Sequence, residues 1–266
     1  MPQTIHHYAD GQFLSRELPG PDAEALPDVP WGRVDALMTP AYWLGQCWQA
    51  ELLGLYGDFR LGSNLREEVA ACLLGGWGMP AELGLTAFAR LRDRGMLTSA
   101  SSATALEHAL SEPFRIEGRD RRYRFPRQRS RHLACCLVAL DDLGEPEDDR
   151  DLRDALRMLP GLGWKTSSWV VRNHRASGAV AIIDVHLVRA GRVAGFFEPC
   201  WDQARDYATM EEAFLRFADA IGVRASLLDA LMWDQMRRFG DLAIQAERRI
   251  VSPIPRPRRT RQLELI

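Results

Sequence analysis

The chain has 266 residues, 46% of them apolar and 26% charged, enough for one large domain or two small ones with a substantial core. A net charge of −2 excludes a chain that is basic throughout. The five cysteines (Cys47, Cys72, Cys135, Cys136, Cys200) form no CxxC pair, which argues against a four-cysteine zinc or iron–sulfur site and for reduced thiols in a cytoplasmic protein.

The start, Met1-Pro2-Gln3-Thr4, has no basic stretch followed by an apolar run, and no window of about 18 apolar residues occurs, so neither a secretory signal nor a membrane span is expected. Residues 1–36 carry Pro19, Pro21, Pro27 and Pro30 and read as an extended arm or loop. After Pro40 the pattern turns helical. Helices are expected over Ala41–Leu55, over Leu65–Leu74 behind Ser63 or Asn64 as N-cap, over Ala81–Asp93, and over Thr98–Ala109 and Ser130–Asp142. Further helices follow at Asp151–Met158, Lys165–Asn173, Asp184–Ala194, Met210–Ile221 and Ala225–Phe239. Ala179–Ile183 is the one good strand candidate. The chain therefore reads as mainly α. Residues 1–60 form an arm and first helix, 61–245 the main domain, and 246–266 a basic tail rich in proline and arginine.

Charge is unevenly placed. Arg115–Arg131 holds eight arginines with Tyr123 and Phe125 interleaved, and Arg248–Arg261 is a second basic run. Local positive charge, rather than the total, is what phosphate contact requires. Each run also fits a solvated loop or tail; in the first, Arg122, Arg127 and Arg129 suit contact with the DNA backbone, Arg127 foremost. Of the 34 basic residues, 33 are arginine and only Lys165 is lysine. Arginine replaces lysine in ion pairs and phosphate contacts, but it does not readily shed a proton to become an amine nucleophile.

Leu159-Pro160-Gly161-Leu162-Gly163 separates two helical patterns. Gly161 and Gly163 permit positive φ and keep side chains off the turn, so its N–H groups at a helix start suit a phosphate oxygen. Lys165 then falls in the first turn of the next helix, where the positive end of the dipole disfavours a protonated amine. Free lysine titrates near about 10.4, so an amine nucleophile needs such a setting. Asp184 follows 19 residues later, after the apolar run Val180–Ile183. It suits either an N-cap or a partner of Lys165 across a cleft.

The stretch LPGLGWKTSSWVVRN followed by AIIDVHLVRA resembles the helix-hairpin-helix motif and catalytic aspartate of the helix-hairpin-helix/GPD glycosylase superfamily. Gly163-Trp164-Lys165 and Asp184-Val185-His186 are most similar to the 8-oxoguanine DNA glycosylase branch. Trp233-x-Gln235-x-x-x-Phe239 resembles the helix that supplies a glutamine to the base edge and an aromatic to its face, and Glu67–Leu91 loosely resembles the helix pair whose loop wedges into DNA. The resemblance spans roughly residues 60–245 and has no counterpart for residues 1–60.

It implies two helical subdomains flanking a DNA-binding cleft. It further implies excision of an oxidised purine, 8-oxoguanine, from double-stranded DNA by base flipping, with Lys165 as Schiff-base nucleophile and Asp184 stabilising charge on the sugar. His186 would reach a phosphate. The backbone carbonyls of Arg157, Leu159 and Leu162 would hold a structural Na+ or K+, with no cofactor required for chemistry. Trp77 and Met79 are candidates to fill the hole left by the extruded base. Trp169, one turn after Lys165, projects toward the same pocket, where the eukaryotic enzymes have a smaller residue. A monomer is expected. Two rivals stand beside this: a monofunctional glycosylase for another modified base, in which Asp184 activates water and Lys165 binds phosphate, and a catalytically silent DNA-binding hairpin module.

Overall fold

The computed structural model describes residues 1–76 and 78–251; Trp77 and the Pro/Arg-rich segment 252–266 lie outside the described residues. The chain is mainly helical, as its apolar periodicity predicts, and no helix among the described residues is long and apolar enough to cross a membrane.

The N-terminal segment departs from the expected arm. β1 (Gln3–Ala9) and β2 (Gln12–Leu18) pair antiparallel around the two-residue loop Asp10-Gly11, both at positive φ (50° and 78°). That loop is the short primed turn whose twist matches its strands. β3 (Glu24–Leu26) and β4 (Val29–Pro30) form a second small hairpin. The prolines that suggested an irregular arm sit at strand ends and turns, where a missing N–H costs nothing.

α1 (Pro40–Leu52) starts behind Thr39, whose side chain accepts from Tyr42 N–H, with Pro40 in the first turn. α2 (Leu65–Leu74) is capped by Asn64, and α3 (Ala81–Asp93) follows. α4 (Ala103–Ser111) begins later than its apolar pattern suggests, because Ser102 accepts from Ala105 N–H and fixes the start. The basic run is split. β5 (Phe114–Ile116) and β6 (Arg119–Arg121) form a hairpin, while α5 (Pro126–Asp142) starts four residues earlier than expected and carries Arg127, Arg129 and Arg131 in its opening turns. α6 (Asp149–Arg157) and α7 (Trp164–Arg175) are the two arms of the glycine-containing hairpin. α8 (Val185–Ala194), α9 (Tyr207–Ala220), α10 (Ala225–Phe239) and α11 (Asp241–Val251) complete the chain, so the first residues of the expected tail are helical.

Two apolar cores result. One joins the N-terminal segment and α1 (Leu18, Trp31, Trp43, Leu44) to α8–α11 (Leu187, Phe214, Phe217, Leu228, Met232). The other is built by α2–α7 (Leu73, Leu74, Phe88, Leu110, Leu133, Val171). α7 joins them: its inner face lies in the second core, and Trp164 at its start packs against the first. Lys165 therefore stands where the two helical halves meet.

Candidate active site

The α6–α7 turn is built tightly. Leu159 N–H donates to Leu156 O (3.0 Å) and Leu162 N–H to Leu159 O (3.2 Å). Gly161 has φ +83°, and a Cβ there would sit 2.4 Å from His132 Nδ1 and 3.0 Å from Leu73 Cδ1. Both backbone conformation and crowding thus demand glycine. Gly163 is different. It is the N-cap of α7 with φ −85°, no side-chain cap bond, and open space where its Cβ would be. The first N–H groups of α7 are left to an outside acceptor.

Trp164 anchors this turn. Its ring stacks on Tyr207 (centroids 5.3 Å apart, 19° between planes), with Arg157 3.3 Å and Arg153 4.5 Å from its centroid. Arg153 also makes a buried 2.6 Å ion pair with Glu211. The helix start that carries half-buried Lys165 is thus clamped from α6 and α9 at once.

Asp184 is the N-cap of α8, its Oδ1 accepting from His186 N–H (2.8 Å) and Leu187 N–H (2.9 Å). It is buried, and its second oxygen makes no hydrogen bond among the described residues. The segment before it joins no sheet among the described residues, so the expected strand is not formed. Its backbone groups are taken by side chains. Ala181 N–H donates to Glu211, Ile182 N–H to Asp229 (3.1 Å) and Ile183 N–H to the Tyr207 hydroxyl, which itself donates to Ala181 O. Buried polar backbone needs partners, and here α9 and α10 supply them in place of a sheet.

Several charges converge. Asp229, fully buried on α10, has its carboxyl pushed up to about 6, chiefly by burial and further by Asp184, against the opposing pull of Arg172, the Ile182 N–H and Lys165. His186 is held below the usual histidine range by burial, and the Arg189, Lys165 and Arg237 charges add to this against Asp184. Burial holds the Cys72 thiol well up, with Glu68 adding and Arg172 and Lys165 opposing. The Lys165 charge is thus felt on α2, α8 and α10, and both Lys165 and Asp184 act on Asp229.

The other sequence candidates are distributed around this centre. His186 packs edge-on against Trp233, and its Nδ1 is buried without a partner among the described residues. Trp169 lies against the turn after α2, its ring edge 3.2 Å from where a Gly75 Cβ would be. Gln235 does not hang free: the Tyr42 hydroxyl donates to its Oε1 (2.6 Å) and its Nε2 donates to Gln46 Oε1 (2.7 Å). Phe239 packs half-buried on the first core. Met79 is buried in the second core, so its side chain is spent on packing and is not presented as a wedge; Trp77 is outside the described residues. Arg127 is exposed and lines, with Gln128, Arg131 and His132, an open concavity of ≈ 440 Å³ beside the hairpin. Sequence reasoning missed Asp229, Tyr42 and Gln46. Asp229 left one signal, an acid inside the apolar run Leu227–Met232; the other two left none, because their contacts span 193 and 189 positions.

The family model described as Ogg-HhH, 8-oxoguanine DNA glycosylase, matches residues 59–223. The fold is similar to the Methanocaldococcus jannaschii 8-oxoguanine glycosylase/lyase in complex with DNA containing 8-oxoguanine (TM-score 0.56, 19% identity, 73% of this chain and 96% of that one). It is similar also to the 8-oxoguanine DNA glycosylase of Thermotoga maritima (TM-score 0.54, 22% identity, 74% and 94%). A trapped endonuclease III–DNA covalent intermediate shares the fold as well (TM-score 0.54, 18% identity, 76% and 84%). No curated protein matches the chain in sequence.

Proposed function

The chain belongs to the helix-hairpin-helix 8-oxoguanine DNA glycosylase family, and from that premise we propose that it excises 8-oxoguanine from double-stranded DNA and then nicks the strand through an amine intermediate. The observation that carries this reading is the clamped first turn of α7, which holds the chain's single lysine where its charge and that of Asp184 act on the same buried carboxylate.

The N–H groups of Gly161, Gly163 and Trp164 hold a backbone phosphate, and Arg127 and His186 contact neighbouring ones. A neutral His186 ring donates one N–H without adding charge. The damaged nucleotide turns out of the duplex between the two helical halves. Neutral Lys165 attacks C1′: an N–C1′ bond forms, the glycosidic bond breaks, and its electron pair leaves with the base, which takes up a proton. Asp184, negative and fixed by its two N–H bonds, faces the positive charge that develops on the sugar. The amine adduct opens to a Schiff base; loss of a C2′ proton then expels the 3′ phosphate and cuts the strand. The carbonyls of Arg157, Leu159 and Leu162 would hold a cation. Three neutral oxygens suit Na+ or K+ better than a divalent metal, which takes carboxylates, and such an ion would supply charge toward the phosphate. Gln235, Trp169 and Phe239 surround the base.

The test separates binding from chemistry. Lys165→Gln is expected to reduce nicking of an 8-oxoguanine duplex by at least about 10³-fold while duplex affinity stays within a few-fold. Nicking at the parent rate would reject the amine mechanism and favour water activated by Asp184.

A further inference from the structure

Gln235 is held at both ends of its amide by α1, and both α1 and α10 lie outside the residues that the family model matches. We propose that Tyr42 and Gln46 are specificity-determining residues that lock the Gln235 amide in one orientation, so that the site reads a guanine-type base edge and rejects an adenine-type one. The inference rests on the reading of Gln235 as the residue that meets the extruded base.

A glutamine amide offers an acceptor on one side and donors on the other. Left free, it turns over at little cost and meets two kinds of edge. A guanine-type edge places the O6 acceptor beside the N1–H donor; an adenine-type edge places the N6–H₂ donor beside the N1 acceptor. A rotating glutamine satisfies both, whereas a fixed one satisfies only one.

Two bonds fix it here. The Tyr42 hydroxyl gives its single proton to Gln235 Oε1 at 2.6 Å, and Gln235 Nε2 gives one N–H to Gln46 Oε1 at 2.7 Å. Turning the amide over would require Gln46 to turn too and would send the Tyr42 proton to water. Burial raises the Tyr42 phenol above its ordinary value, so it remains a donor across neutral pH. The clamp itself is well seated. Tyr42 N–H caps onto Thr39 and its ring packs edge-on against buried Trp43 (centroids 5.2 Å apart). What remains for a base is one lone pair on Gln235 Oε1 and one N–H on its Nε2. All three side chains are only half-buried, so a base can reach them.

The experiment uses the full chain and three duplexes, carrying 8-oxoguanine, 8-oxoadenine or a bare abasic site, in single-turnover reactions. Tyr42→Phe keeps the ring and removes the proton; Gln46→Met keeps the length and removes the acceptor. Either variant is expected to lower the ratio of 8-oxoguanine to 8-oxoadenine release by about five- to tenfold, the worth of one hydrogen bond. Abasic-site nicking should stay within about twofold of the parent. An unchanged ratio in both variants, with the parent still releasing 8-oxoguanine, overturns the lock and leaves the proposed function standing. An equal loss on all three duplexes overturns it too, because it marks a packing role. A parent that releases neither base while nicking the abasic site overturns the lock together with the assignment of 8-oxoguanine.

Discussion

Asp229 is a costly side chain near the centre: fully buried, raised further by Asp184, and opposed by Arg172 and Lys165. Its folded value of about 6 lies above the ordinary 3.8, so the folded state favours the protonated form. The stability this group contributes is complete below about pH 3.8 and is lost as pH rises through about 6. An asparagine amide at this position could still accept from Ile182 N–H but could not ionise. Asp229→Asn is therefore expected to unfold like the parent at about pH 4 and to be more stable than it at about pH 8, by on the order of 2–3 kcal/mol. Urea unfolding at the two pH values checks this; equal differences at both would show that the carboxyl is not held up by burial. Legibility at this scale follows distance along the chain. Lys165 and Asp184 could be read because a local motif holds them 19 positions apart. Tyr42 and Gln46 could not, since only folding brings α1 to α10.

Among the elements, the helix starts and the connection before α8 explain the site. The Val180–Ile183 run has the composition of a strand, but side chains of α9 and α10 take its backbone groups, so periodicity alone misassigns it. That network sets the position at which α8 begins and hence where Asp184 stands. Asparagine caps a helix about as well as aspartate. Asp184→Asn should therefore retain the fold within about 1 kcal/mol while slowing base release by about 10²-fold or more through the lost charge. Asp184→Ala should lose about a further 1 kcal/mol with the cap. Thermal unfolding and single-turnover release separate the two effects, and unchanged release by the asparagine variant would remove Asp184 from the mechanism. The N-terminal hairpins were missed for the opposite reason to the strand. Their prolines and glycines look irregular in sequence, yet the Asp10-Gly11 turn and the Gln3–Leu18 register are regular.

At the scale of the whole molecule, the two cores divide the chain discontinuously: residues from both ends build one, residues from the middle the other. α7 crosses between them, which places its first turn at the seam, where a nucleotide extruded from DNA would arrive. The mainly helical class and the hairpin were readable because helical periodicity and a glycine turn are local signals. The sharing of a core by the N-terminal hairpins, α1 and α8–α11 was not, because no local pattern encodes a pairing of the two ends. Borohydride trapping tests directly the proposed bond between Lys165 and the sugar. A duplex with one 8-oxoguanine opposite cytosine is mixed with the protein, sodium borohydride is added, and covalent protein–DNA product is measured. The amine mechanism predicts a trapped band for the parent chain and none for Lys165→Gln. A band of full intensity from that variant, or no band from the parent with either 8-oxoguanine or an abasic site, would contradict it.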